Sequence, residues 1–325
     1  MRQAHFERLH RPGWSAFQHS LLALEKGRRQ DAAADRFPAD YRRLCHHLAL
    51  AESRGYSRQL VDELRNLATR GHQQLYRHRS LLMAKVLGFI TGGFPRLVRA
   101  ERGVVTCAFA LFFGALLLTA AWVVLFPEAV HAIVPPEQLS EMEAMYDPDE
   151  TGHGRFARRG SDTDWSMFGF YIMNNIGIAF QTFASGLLLG LGSLFFLLFN
   201  GITIGAIAGH LTAIGYHQPF WSFVIGHGAF ELTAIALAGA AGLKLGVSLI
   251  APGHRTRLRS LQHAATRAIR LVAGAALFLL VAAFIEAFWS STQTFDVAFK
   301  YAIGALLWLL VGLYLGFAGR SRATE

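Results

Sequence analysis

The sequence predicts an all-α protein: a polytopic α-helical membrane protein with a small helical cytosolic N-terminal domain. Three observations predict this class. Of 325 residues, 53% are hydrophobic and only 16% are charged, which is too apolar and too weakly charged for a soluble chain of this length. The apolar residues are concentrated after residue 103, in runs near the length that crosses a bilayer, while residues 1–102 are polar and basic. No period-two alternation marks a strand; apolar residues in the N-terminal part recur at helical spacing instead.

The distribution of charge decides between partners. Residues 1–102 carry 19 Lys and Arg against 9 Asp and Glu, residues 127–165 carry 9 acids against 3 Arg, and residues 253–270 carry five Arg and no acid. A net charge of +9 invites a nucleic-acid reading, but alternation of sign between loops is the positive-inside signature of a membrane protein. Nucleic acid is therefore not expected as a partner; the lipid bilayer is. Cys45 and Cys107 fall in different regions, so neither a disulfide nor a zinc site is expected from them. No signal peptide precedes the first long apolar run, which begins after residue 100 and is expected to serve as the insertion signal, leaving the N-terminus inside.

Taken in order, residues 1–80 read as the cytosolic helical domain, with two or three amphipathic helices between 15 and 78. Phe17, Leu21, Leu22 and Leu24 mark the first; Asp31 opens a second carrying Tyr41, Leu44, Leu48 and Leu50. Ser57 reads as the N-cap of a third carrying Leu60, Leu64, Leu67 and Leu75. Such a domain presents either a solvated Arg-rich face or a partner-docking surface. Residues 81–102 read as a juxtamembrane element. The apolar decamer 81–90 is too short to span, and Arg96, Arg99 and Arg102 follow it, as in an interfacial helix and basic linker lying on anionic headgroups.

Residues 103–318 are expected to form a membrane domain of about six hydrophobic segments, followed by a cytosolic tail, 319–325. The first span is 103–126, ending at Pro127. The loop 127–165 is acidic and therefore outside. Asp147, Asp149, Thr151 and Gly152 in it imitate the start of a calcium loop, but Arg158 stands where the twelfth-position glutamate is required. Between this outer loop and the inner Arg-rich stretch the chain crosses an odd number of times. Segments 166–183, 186–211 and 219–250 fit three crossings, with turns near Ala184 and Ser185 and at 215–218; one crossing with re-entrant pieces also fits. Three are favoured. Segments 271–289 and 298–318 complete the set, and Arg320 and Arg322 place the C-terminus inside. Glu286 is expected to reach outer headgroups and Lys244 to snorkel to the inner ones.

One constellation stands out as chemistry. His227 and Glu231 lie four residues apart, one helical turn, in an apolar run from Phe220 to Leu243. A charged carboxylate there costs roughly 2.5 kcal/mol or more on insertion scales, and Glu231 is expected near mid-membrane. Gly201, Gly205 and Gly209 repeat every four residues, with Gly186 and Gly190 before them and Gly228 in the motif itself; these read as helix-packing glycines. Ala234, Ala238 and Ala241 continue the face of His227 and Glu231, so the two smooth helices are expected to pack on each other, and the glycine faces also allow a homodimer. Asn174, Asn175, Asn200, His210, His217, His227 and Glu231 then become candidates for one internal polar cluster. Four readings stay open: a hydrogen-bonded clamp between helices, a transport or permeation path, a docking site for partner helices, and a metal site formed by His227 and Glu231 with a third ligand from His210 or His217. The order is His-x-x-x-Glu rather than His-Glu-x-x-His, and no Ser or Cys stands in a nucleophile motif; neither catalysis nor a cofactor is expected.

The pair Asn174 and Asn175, the run from Asn200 through Gly201 to Gly205, and His227, Gly228, Glu231 and Leu232 followed by Ala238, Gly239 and Gly242 together resemble the stage II sporulation protein M family of integral membrane proteins. Phe94, Pro95 and Arg96 resemble the pre-membrane element of its longer members. The resemblance covers 80–325, with His-Gly-x-x-Glu its most specific part; many members carry proline where Gly226 and Thr233 stand here. It implies a multi-pass protein of the bacterial inner membrane, with both termini cytoplasmic, that anchors or organises an envelope complex without catalytic activity of its own. Longer members with an N-terminal domain often neighbour genes for MoxR-type ATPases, von Willebrand A-domain proteins and RDD membrane proteins, which the resemblance offers as partners.

Overall fold

The computed structural model describes residues 2–25, 31–148, 161–292 and 294–320. The chain forms two compact units, Met1–Gly88 and Phe89–Glu325. Every regular element among the described residues is helical.

The first unit contains α1 (Gln3–Glu25), α2 (Asp31–Ser53) and α3 (Arg58–Gly88). Its core takes Phe6, Trp14, Phe17 and Leu21 from α1, Phe37 and Leu44 from α2, and Leu60, Leu64 and Leu67 from α3, each set at intervals of three, four, seven or eight. α1 begins well before residue 15, so Phe6 and Trp14 join the stripe. Ser57 precedes α3 as expected, and it also binds α1: its amide donates to Gln3 Oε1 at 3.0 Å and Gln3 Nε2 donates to its hydroxyl at 2.8 Å. The indole N–H of Trp14 donates to His47 Nδ1 at 3.1 Å. The decamer 81–90 is not a separate helix: 81–88 continue α3, and Phe89 opens a π-helical turn, Phe89–Gly93, that belongs to the second unit.

In the second unit the expected basic linker is also a packed element. α4 (Phe94–Ala100) starts with Pro95 in its first turn, where a missing N–H costs nothing, and buries Phe94, Pro95, Leu97 and Val98. Arg99, expected on headgroups, instead donates from Nη1 to the Leu315 carbonyl and from Nη2 to that of Ala318, both at 2.7 Å. It thereby satisfies carbonyls that the end of a helix leaves open.

The helices α5 (Arg102–Leu125), α8 (Leu191–Ala213), α9 (His217–Ile250) and α11 (Val297–Phe317), together with α10 (Arg257–Ile285) and its π turn Glu286–Ser290, are long and apolar enough to cross a membrane. α7 (Ser161–Ala184) is equally long, but Asn174, Asn175 and Gln181 break its apolar run. It is continuous from Trp165, whose ring lies 5.2 Å from that of Phe288, to Thr182 and Phe183, which lie against Gly242. α7 thus runs alongside the bundle rather than turning back halfway. Between α5 and α7 lies α6 (Pro136–Tyr146); the calcium-like stretch continues into 149–160, outside the described residues.

The glycine registers fix the directions. On α8, Gly201 faces Phe112 and Ala115, Gly205 faces Leu116, and Gly209 faces Ala120 and Val123, so α5 and α8 run parallel. On α9, Gly239 meets Leu197, Gly242 meets Ser193 and Gly246 meets Gly190, so α9 runs antiparallel to α8. This corrects the expected pairing: the Gly201, Gly205 and Gly209 face of α8 takes α5, while α9 approaches α8 through its own glycines and the hairpin glycines Gly186 and Gly190. The reason is that α9 is central. It is buried without a break from Thr233 to Gly242 and touches α5, α7, α8, α10 and α11, so small residues are needed all round it rather than on one face. Gly228 is not a contact point of this kind, since a Cβ there meets only Val224 and Leu232 of its own helix, at 3.5 and 3.9 Å. With the α8 glycines filled from within the chain, they no longer argue for a homodimer.

At the end of the bundle where α5 begins, Glu101 joins three helices. It accepts from Lys244 Nζ at 2.6 Å and from Arg267 Nη1 at 2.9 Å. Lys244 is therefore one side of an ion pair rather than a lone snorkelling ammonium.

Candidate polar site in the helix bundle

The π turn at the end of α10 builds the site opposite α9. A π turn adds a residue to the helical repeat and re-aims the side chains around it. Here it carries Glu286 and Ser290, and both reach α9. Ser290 Oγ lies 3.1 Å from His227 Nδ1, the direction of the bond depending on the imidazole tautomer. One carboxylate oxygen of Glu286, one of Glu231 and one imidazole nitrogen of His227 all lie within 4.8 Å of one another. Only 6% of His227 and 9% of Glu286 is exposed. Oε2 of Glu231 is buried without a hydrogen-bond partner. Lys300, in the first turn of α11 and likewise buried, donates to the Ser290 carbonyl at 3.0 Å, a carbonyl exposed by the end of the helix.

Aromatic residues close this region. Tyr146, at the end of α6, is buried edge-on against Phe220 and Phe223, with centroids 5.2 and 6.0 Å away, and the Phe223 ring lies 5.3 Å from that of His227. Burial raises the Tyr146 phenol above its ordinary range, and the nearby Glu286, Tyr171 and Glu231 raise it further. The same helix is held by Glu143 Oε1, 2.6 Å from His210 Nε2.

The predicted cluster is thus only partly assembled. Of its seven members, His227 and Glu231 are brought together. Asn174 donates to Asn175 at 2.9 Å on α7, Asn200 bonds back to the Phe196 carbonyl of its own helix at 2.7 Å, His210 pairs with Glu143, and His217 starts α9. The third ligand-type group beside His227 and Glu231 is neither His210 nor His217 but Glu286, expected at headgroups. Glu231 lies near the middle of α9, whereas Glu286 and Ser290 close α10 and Lys300 opens α11, so the site joins the middle of the central helix to the turn between its two neighbours. Glu286 was detectable by the argument that singled out Glu231, because it is the one ionisable residue in the span 271–289.

Comparison with known proteins agrees with this architecture. A family model described as Stage II sporulation protein M matches residues 106–291, which reach from α5 to just past Ser290. A second, described as Domain of unknown function (DUF8413), matches residues 4–77, in the first unit. No curated protein and no solved structure matches the chain. The chain belongs to the stage II sporulation protein M family, as a multi-pass α-helical membrane protein that carries an additional helical unit at its N-terminal side.

Proposed function

We propose that this protein is a scaffold of the bacterial inner membrane, organising an envelope-associated complex through protein partners and carrying no catalytic activity of its own. Both termini are then cytoplasmic, residues 1–80 form a cytosolic docking domain, and the acidic loop 127–165 faces the other side. The observation that carries this reading is the joining of two separately packed units in one chain, a membrane bundle of the sporulation M family and a helical unit with its own aromatic core. A bundle whose central helix is enclosed by glycine contacts and pinned by ion pairs suits a rigid anchor, and a charged helical unit suits recognition of partners. MoxR-type ATPases, von Willebrand A-domain proteins and RDD membrane proteins are the partners to look for.

The test is a crosslinked pull-down from native membranes with the full chain and with a variant lacking residues 1–80. A defined set of envelope proteins retained by the full chain and lost from the shortened one supports the scaffold. Purified protein in liposomes supplies the opposing result: a flux of ions, lipid or solute abolished by Glu231→Gln overturns a scaffold-only role.

A further inference from the structure

We propose that His227, Glu231 and Glu286 bind one divalent first-row transition-metal ion, with Ser290 orienting the imidazole. This goes beyond the scaffold reading and does not depend on it. The three side chains are a mixed nitrogen and oxygen donor set, drawn from two helices and converging within 4.8 Å. One imidazole with two carboxylates is the ligand type that suits zinc, manganese or iron, and three protein ligands leave a position for water. A tetrahedral ion with bonds of about 2.0–2.1 Å wants donors roughly 3.3 Å apart, so the observed spacing closes onto an ion by small rotations of the two flexible glutamates, with no helix movement.

Two further observations point the same way. Glu231 Oε2 is buried without a hydrogen-bond partner, which is the state of a ligand atom awaiting its ion. Ser290 Oγ holds His227 Nδ1 at 3.1 Å, the kind of outer contact that fixes the tautomer and ring orientation of a metal-binding histidine. Charge leads to the same place. Two carboxylates converging on one imidazole repel unless a proton or a cation lies between them.

The full-length protein, purified in detergent without chelator, stripped with EDTA and reloaded separately with Zn²⁺, Mn²⁺ and Co²⁺, tests this by elemental analysis and by the visible absorption of bound Co²⁺. The expected result is about one ion per chain, with ligand-field bands in the Co²⁺ form. Affinity should fall at least tenfold in Glu231→Gln and Glu286→Gln and by about tenfold in Ser290→Ala, and remain unchanged in Glu143→Gln, whose carboxylate sits on His210. If a ligand variant does not fold, the wild type still decides: its thermal midpoint must rise with added ion and return with EDTA. No uptake by the stripped wild type at micromolar free metal, or equal uptake by both Glu→Gln variants, overturns the proposal and leaves the carboxylates to share a proton.

Discussion

Glu101 bonds to α9 and α10 from the start of α5, and it does so as a nearly buried carboxylate, 7% exposed. Burial alone pushes its pKa up; the hydrogen bonds and charges of Lys244 and Arg267 together pull it further down, so it ends below the ordinary value of 4.5. A carboxylate depressed on folding adds stability above its unfolded pKa and loses it as pH falls through the folded value. The thermal midpoint of the detergent-solubilised chain should therefore hold between pH 7 and 5 and drop below about 4.5. Glu101→Gln should cost roughly 3 kcal/mol at pH 7, because it strands Lys244 and Arg267, and should flatten that acid drop. His47 gives a second reading on acidification. Burial, then the charges of His10, His46 and Arg43, lower its pKa from 6.5, and the Trp14 bond requires an unprotonated Nδ1. Its imidazole should titrate below 6.5 by NMR, and Trp14 fluorescence should shift as pH falls through that lower value, when the stability held above 6.5 is lost. The chemistry-bearing types were readable at this scale and their partners were not. Glu286 and Lys300 join the site only because a π turn and the start of α11 approach His227, and nothing in local spacing encodes that approach.

At the scale of elements, close approach is what the glycines enforce. A side chain at Gly205 would collide with the Leu116 backbone, whereas Gly114 has nothing within 4 Å. Gly205→Val should separate α5 from α8 and cost about 1–3 kcal/mol, while Gly114→Val should leave the unfolding free energy within about 0.5 kcal/mol of wild type. Equal effects at the two positions would refute the close-packing account. The spans themselves were legible, since an apolar run of bilayer length bounded by Pro127, Gly215 or an Arg cluster admits little but a helix. α4 was not. Its seven residues read as a basic linker because their burial depends on Gly274, which leaves room for Phe94 on a helix about 180 residues further on. The exchange of partners along α8 was hidden for a related reason: small residues announce a close neighbour without naming it.

For the whole molecule, the alternation of α5, α7, α8, α9, α10 and α11 predicts that the α7–α8 turn at Ser185 and the α10–α11 turn at Thr292 emerge on opposite sides. In a cysteine-free background, Ser185→Cys and Thr292→Cys should react with impermeant maleimide from opposite faces of oriented vesicles; labelling from one face alone would refute six crossings. Charge alternation leads to the same expectation from sequence, since it depends on sums over loops rather than on any contact. Arg99 carries a different consequence. Its guanidinium ends on Leu315 and Ala318, Tyr314 donates to the Ile90 carbonyl, and Gly92 lies against Gly319. The first helix of the bundle, α4, is therefore completed by α11, the last helix among the described residues. During synthesis Phe94 has to wait for Gly274, about 180 residues on, and Arg99 for Leu315 and Ala318, some 220 residues on. A chain stalled before α11 thus holds an α4 whose Arg99 has no carbonyls to bind, so the bundle closes only once α11 is in place.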